Sequence, residues 1–416
     1  MSEPSRASTD GALASLVRES GRDVLATLVR RLGDLALAED AVQEAVVRAL
    51  QTWPRDGVPD NPTGWLRVVA QRQAIDLLRR ERSRRRREEV RAMDPAFDTS
   101  DDAQDDAPDD GDDATLGDDL LRLLFTCCHP TLAPASRVAL ALRTLCGLTE
   151  PEIARALLSS PDAVAKRLVR ARQKIKQARI PYRVPADHEL PERWAAVLTT
   201  VYLLFNEGYS ATEGEQLDRP ELAEQAVRLG RLLVRLQPDD AAACGLLALM
   251  LLQHSRAAAR TGPDGPLLLP EQDRSRWDRA AIEEAVVLVG TGLRLSSLRA
   301  DRYVVQAAIA ACHALAPSWE QTDWSAIVSW YDVLLTLDPS PVVALNRAVA
   351  VAERDGAEAG LVLIEAIGGL EDYALLHASR AALLRRLGRV DDAEAAAARA
   401  AALPLSEPVR ARLGDL

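Results

Sequence analysis

Aromatic residues make up only 4% of this chain, and β-branched residues rarely recur at a two-residue period. A sheet-built protein is therefore not expected, because strands rely on such residues to fill a pleated surface. Apolar content still reaches 48%, carried by Ala, Leu and Val, and that composition points to an all-α fold. Cysteine is scarce. The five thiols, Cys127, Cys128, Cys146, Cys244 and Cys312, are odd in number and irregularly spaced, which argues against a disulfide framework and for a reducing compartment. Long apolar runs are missing, since LLALMLL at 246–252 is far too short to span a bilayer. The opening MSEPSRASTDGALASLV has no basic stretch followed by an apolar one, so a secretory signal is not expected. Catalytic motifs are absent as well: there is no Walker loop and no GxGxxG. His188, His254, His313 and His377 are scattered without Ser/His/Asp or Cys/His logic. Cys127-Cys128-His129 would direct adjacent ligands apart and has no CxxC partner, so it reads as core cysteines and not as a metal site. These absences predict a soluble, cytoplasmic, non-enzymatic protein with no cofactor, no metal and no membrane partner.

The charge pattern carries more than the net value of −11. Arg67 to Arg91 holds ten Arg against four acids, and Asp162 to Arg179 holds seven cations against one acid, a balance of +6 in each case. Between them, Asp94 to Asp119 holds twelve Asp and no cation. Two basic helices flank one acidic tether, which cannot fold alone because it has little apolar surface and its charges repel. Within the second basic stretch, SSPDAVAKRLVRARQKIK (159–176), Val164, Leu168, Ala171 and Ile175 form one apolar helical face.

Periodicity predicts helices over 13–32, from Leu37 to Trp53, and from about Trp65 to Arg87. Val42, Ala45, Ala49 and Trp53 make the inward stripe of the second, opposite Asp40, Gln43 and Glu44. The third is expected to be capped by Thr63 and to bury Trp65, Val68, Val69, Ile75 and Leu78. PRDGVPDNP (54–62) reads as a rigid loop between them. Downstream, LTEPEIARALL (148–158) predicts a short helix capped by Thr149, with Glu152 completing a capping box. The Ser159-Ser160-Pro161 turn then leads into the basic helix. That is helix-turn-helix spacing, whose second helix enters the major groove; a plain αα-hairpin is the alternative. FNEGY (205–209) reads as a helix end with Gly208 as its break. In the tail, Ala348, Gly360 and Ile367 recur as Ala381, Ala393 and Ala400, a shift that fits two-helix repeats of the tetratricopeptide (TPR) kind. Leu236-Gln237-Pro238 and Leu337-Asp338-Pro339 look like turns that end repeats, and 259–273 reads as a loop interrupting the array.

Two blocks together resemble a known family. GDLALAEDAVQEAVVRALQTWP (33–54) with NPTGWLRVVAQRQAIDLLRRERSRRR (61–86) is similar to region 2 of bacterial extracytoplasmic-function (ECF) sigma factors of the sigma-70 family. LTEPEIARALLSSPDAVAKRLVRARQKI (148–175) is similar to their region 4, in the same order and spacing. LLFTCCHPTLAP (123–134), YLLFNEGYSAT (202–212), EQDRSRWDRAAI (271–282) and RAALLRRLGRVDDA (380–393) resemble the subgroup with a C-terminal TPR-like extension. The resemblance implies region 2 over 11–92, an acidic flexible linker over 93–118, region 4 over 119–185 and a helical regulatory domain over 186–416.

It also implies partners: core RNA polymerase, promoter DNA, and a protein partner or intramolecular contact for the C-terminal domain. Asp40, Gln43 and Glu44 would dock on the polymerase. Asp60, Asn61, Thr63, Trp65, Gln71, Arg72, Arg79 and Arg80 would grip the unstacked −10 strand, where melting needs a pocket for a base and cations on the freed backbone. Ser160, Lys166, Arg167, Arg170, Arg172 and Lys174 would read the −35 element. Two departures stand out. Arg72 occupies a position where many members have Asn, which keeps phosphate binding but is expected to alter −10 preference. The SSP turn lacks the glycine common in helix-turn-helix proteins. The acidic linker is expected either to imitate nucleic acid in the polymerase channels or to act as a solubilising spacer. A different class, a TPR-containing helix-turn-helix regulator that acts without being a polymerase subunit, would have no use for the Asp40, Gln43, Glu44 face.

Overall fold

In the computed structural model, the described residues are 6–92, 113–157, 159–178, 180–209, 220–262, 265–296 and 300–403. They hold seventeen α-helices and one two-residue antiparallel ladder, β1 (Thr261–Gly262) with β2 (Gly265–Pro266). The all-α expectation holds. Two compact units divide the chain, Met1–Thr200 and Val201–Leu416.

In the first unit, α1 (Arg6–Leu32), α2 (Leu35–Asp56) and α3 (Pro62–Ala92) pack against one another. Gly33 breaks the chain in the left-handed region, and the Asp34 carboxylate caps α2 by accepting from the Ala36 and Leu37 N–H groups. Ala38, Ala41, Ala45, Ala49 and Trp53 form the buried stripe of α2. Pro54 lies inside the last turn of that helix, so the predicted loop is shorter than expected and starts at Gly57. On α3 the predicted burial is out of phase. Leu66, Ala70 and Ala74 are buried, whereas Val68 and Ile75 are 48% and 43% exposed. Small alanines let α3 approach its neighbours closely, and the bulkier β-branched residues turn outward. The cap of α3 is Asn61, not Thr63: its Oδ1 accepts from the Gly64 N–H at 2.8 Å.

Of the predicted tether, 93–112 lies outside the described residues, and the remainder belongs to α4 (Asp113–Cys127). This helix packs on α1 and on α5 (Pro134–Cys146). A short α6 (Glu150–Ala156) and the long α7 (Pro161–Ala178) follow. The buried face of α7 is Val164, Leu168, Ala171 and Ile175, as its period required. Cys127 and Cys128 are buried, and desolvation pushes the Cys128 thiol up to about 12, so both are inert core thiols. α8 (Leu190–Tyr209) contributes its first half to this unit: Trp194 stacks on Phe125, and the Thr200 hydroxyl meets the Cys128 sulfur.

The second unit runs through α9 (Pro220–Leu236), α10 (Ala241–His254), α11 (Arg279–Leu295), α12 (Arg302–Leu315), α13 (Trp324–Leu337), α14 (Pro341–Asp355), α15 (Ala357–Glu365), α16 (Ala374–Arg386) and α17 (Val390–Ala401). Asp240, Asp278, Asp301, Asp323 and Ser340 cap five of these helices, each accepting a first-turn N–H. α9 and α13 stop at Leu236 and Leu337, the predicted turns. The hairpins α14–α15 and α16–α17 start 33 residues apart at both of their helices, matching the shift seen in sequence.

α10 is the core helix. Every residue from Ala243 to Leu252 is buried, against α9, α11 and α12. Ala241–Ala259 is long and apolar enough to cross a bilayer by length and composition, which the shorter run 246–252 did not suggest; 61% of it is buried within the fold, as in a core helix.

Close approach fixes two glycines. Gly208 lies within α8 and is not its break, and a Cβ there would sit 2.4 Å from the Ala223 backbone nitrogen. At Gly245 on α10 a Cβ would lie 2.4 Å from the Val304 nitrogen at the start of α12. Gly245→Ala is therefore expected to force α10 and α12 apart, costing about 1–3 kcal/mol. Scanning calorimetry should show the transition of this unit lowered by about 2–4 °C per kcal/mol. An unchanged transition would contradict the close packing.

Candidate nucleic-acid interface

Three exposed surfaces gather the residues singled out from the sequence, all within the first unit. On α2 the alanine stripe points inward, so Asp40, Gln43 and Glu44 are exposed on the opposite side. Val47, 46% exposed, continues that stripe one turn further. Acidic groups beside an uncovered valine make a face suited to a protein partner.

The second surface is the α2–α3 corner and the outer face of α3. Asp60 and Asn61 are exposed. The Thr63 hydroxyl lies 3.1 Å from that of Ser20, which ties the helix start to α1. Trp65 is partly exposed and meets the buried Trp53 edge-on, ring centroids 5.3 Å apart. Along α3, Val68, Arg72, Ile75 and Arg79 succeed one another at helical spacing and are all exposed; Arg80 is exposed beside them, and Gln71 is partly buried. Guanidiniums interleaved with apolar side chains can hold a phosphate backbone and a base at once.

The third surface is the outer face of α7. Ser160 caps it, its hydroxyl accepting from the Ala163 N–H at 3.3 Å. Ahead of the turn, Glu152 supplies its half of the predicted capping box, accepting from the Thr149 N–H at 2.6 Å. Lys166, Arg170 and Lys174 are exposed with Val169 among them. The other two arginines are engaged. Arg167 donates to the Ser159 hydroxyl at 3.1 Å, which braces the turn. Arg172 donates to both carboxylate oxygens of Glu39 on α2, Nε at 2.6 Å and Nη2 at 3.2 Å. Thr144 on α5 donates to the same carboxylate at 3.4 Å.

Among the described residues, that ion pair is one of two between α1–α3 and α4–α7. In the other, Asp119 is 1% exposed and accepts from Arg30 Nε at 2.9 Å and Arg122 Nη1 at 3.2 Å. The Tyr182 hydroxyl donates to the Asp119 and Ala26 carbonyls at 2.8 and 3.1 Å. Burial, helped by the Asp119 charge, holds that phenol above its ordinary pKa, so it remains a neutral donor. Sequence reasoning singled out none of Glu39, Arg30, Asp119 or Tyr182 as a functional residue. The one usable signal was Asp119, an acid placed directly before the apolar run of α4.

Residues 16–84 match Sigma-70 region 2 and residues 122–175 match Sigma-70, region 4. The chain is 36% identical over 165 residues to a probable ECF RNA polymerase sigma factor, SigI, of Mycobacterium tuberculosis, a match covering 39% of this chain and 54% of that protein. The chain carries sigma-70 regions 2 and 4 and is a homologue of an ECF sigma factor. Beyond its region 4, residues 193–292 of the chain match a family of unknown function (DUF6596). An uncharacterized protein of Rhizobium meliloti is 44% identical over 398 residues, covering 95% of this chain and 93% of that protein, so the relationship includes the C-terminal extension.

The Glu39–Arg172 pair gives a direct test of the docking between regions 2 and 4. A double-mutant cycle of Glu39→Gln with Arg172→Gln, read by calorimetric unfolding of the full chain, is expected to give a coupling of about 1–3 kcal/mol. A coupling near zero would show that the pair is not held in solution.

Proposed function

We propose that this sigma factor binds core RNA polymerase, directs it to −35 and −10 promoter elements and helps open the DNA. The observation that carries the reading is the pairing of two different exposed surfaces on one compact unit: an acidic, partly apolar face on α2 and basic faces on α3 and α7. A simple repressor needs the second kind only. In this reading Asp40, Gln43 and Glu44 dock on polymerase. Asp60, Asn61, Thr63 and Trp65, with Gln71, Arg72, Arg79 and Arg80, hold the melted −10 strand. Lys166, Arg170 and Lys174 read the −35 element from the major groove, with Ser160 and Arg167 setting the start of the helix. The protein acts where polymerase and promoter DNA are, in the cytoplasm, as a regulator and not as a catalyst. The hairpins of the extension act as a TPR-like regulatory domain.

Geometry adds a requirement. The two promoter elements lie roughly 25 base pairs apart, about 85 Å along B-DNA. Region 2 and region 4 touch through Glu39 and Arg172 at 2.6 Å. Reading both elements at once therefore takes the two regions apart, and Arg172 reaches DNA only after it leaves Glu39. The docked arrangement is a resting state in this reading.

Run-off transcription with purified core polymerase tests the proposal. Initiation from defined promoters is expected only when the chain is added. Binding of duplex DNA by the chain alone, with no initiation, would favour the regulator that works without polymerase.

Two substitutions separate the surfaces. Lys166→Ala with Arg170→Ala is expected to weaken promoter binding of the holoenzyme by about 1–3 kcal/mol for each base that is no longer read. Unchanged affinity would reduce α7 to scaffold. Asp40→Lys with Glu44→Lys is expected to lower affinity for core polymerase at least about tenfold while helix content stays constant. Intact co-purification with core would remove that face from the interface.

A further inference from the structure

The extension contains a cavity of about 450 Å³, formed by α8, α10, α12, α13, α14 and the 269 turn. That size suits a small organic molecule. Its walls are mixed: Leu249, Leu252, Ile309 and Val342 form an apolar part, and polar side chains make up about half of the lining. One of these is Arg256.

A guanidinium withdrawn from water normally finds a carboxylate or a backbone carbonyl. Its neighbours obey this rule. Arg260 donates to the Tyr209 carbonyl and stacks over the Tyr209 ring, 3.7 Å from its centroid. Arg274 donates from Nη1 to the His313 and Ala316 carbonyls at 2.6 and 2.7 Å. Arg256 does neither. Its Nη2 donates to the Tyr209 hydroxyl at 2.7 Å and to the Gln253 side-chain oxygen, both neutral acceptors. Among the described residues no acid forms an ion pair with it.

Positive charge accumulates around this point. Burial, with Arg256 and Arg274 adding to it, pushes the imidazole of His313, which also lines the cavity, down to about 4, so it is neutral near pH 7. Among the described residues the buried His313 Nδ1 and Arg274 Nη2 have no hydrogen-bond partner. Asp338 is the single carboxylate in the lining, and it forms no ion pair among the described residues. The lining thus offers one guanidinium without an ion pair and one acid, together with an apolar part formed by Leu249, Leu252, Ile309 and Val342. A multiply charged phosphate ester fits this balance poorly; a monoanion with an apolar body fits it.

We propose that this cavity is a binding site for a small organic carboxylate, whose carboxylate group pairs with Arg256 and whose apolar body fills the slot between Leu249, Leu252, Ile309 and Val342. The ligand supplies the negative partner that the chain leaves out.

Calorimetric titration of the full-length protein tests the site, with benzoate and hexanoate as carboxylate probes, benzamide as the neutral counterpart of benzoate, and inorganic phosphate as a bare anion. At least one carboxylate is expected to bind saturably at millimolar concentration, and benzamide at least about tenfold more weakly than benzoate. Arg256→Gln, with helix content checked by circular dichroism, is expected to weaken carboxylate binding by a similar factor. Ala310→Leu keeps the guanidinium but narrows the cavity, and it should also lower affinity, which guards against a fold defect in the arginine variant. The proposal is overturned if neither carboxylate binds, if benzamide binds as well as benzoate, or if binding survives both substitutions. Phosphate binding more tightly than either carboxylate would overturn the assignment of ligand class.

Discussion

The contact between Glu39 and Arg172 governs how this protein can be used. It joins residues 133 positions apart, with both guanidinium and carboxylate in bidentate register and both largely withdrawn from solvent. A pair of this geometry is stronger than an exposed one, because less water competes for it and the fork fits the carboxylate without further ordering. Its position matters more than its strength. One end sits on the helix whose outer face is acidic, and the other on the helix whose outer face is basic. The same stretch of α7 thus has two sides: its outer side leaves Lys166, Arg170 and Lys174 exposed while its inner side holds region 2. Asp119, buried between Arg30 and Arg122 with the Tyr182 hydroxyl on its carbonyl, supports the same docking from another direction. Breaking such buried pairs is costly unless each charge finds a new partner. In the proposed reading DNA phosphates are that partner for Arg172, which would couple opening to promoter binding.

Much of the fold was legible because helix signals are local. The apolar stripe of α7 at 164, 168, 171 and 175 is buried as its period requires, and the turns after Leu236 and Leu337 end helices. The repeat of small residues translated into hairpins whose starts recur at 33 residues. Failures came where two stripes competed on one helix. On α3, both Val68 with Ile75 and Leu66 with Ala70 and Ala74 have helical spacing, and hydrophobicity alone favoured the bulkier set. The close approach of α1 and α2 selected the smaller one. Asn61 outcompeted Thr63 as a cap because its side chain reaches the Gly64 N–H from just outside the helix.

The site was legible only as far as single helices carry it. Exposure of Asp40, Glu44, Lys166, Arg170 and Lys174 follows from period once the inward stripe is known. What each exposed charge meets does not follow. Arg172 is indistinguishable in sequence from Arg170, yet two positions of rotation, about 200°, turn it to the far side of α7. Glu39 precedes Asp40 by one residue and faces elsewhere for the same reason. Arg256 shows the converse. Nothing in its local sequence marks it, and only the packing of α10 against its neighbours sets a guanidinium at a cavity without an acid beside it.

The claim that docked regions 2 and 4 come apart to read a promoter is tested most directly by a distance. Spin labels at Arg48 on α2 and Gln177 on α7, both exposed, can be followed by double electron–electron resonance in the full chain. A single short distance is expected in the free protein. In the complex with core polymerase and promoter DNA, a shift toward the roughly 85 Å separation of the two elements is expected. The same short distance in the active promoter complex would contradict the account.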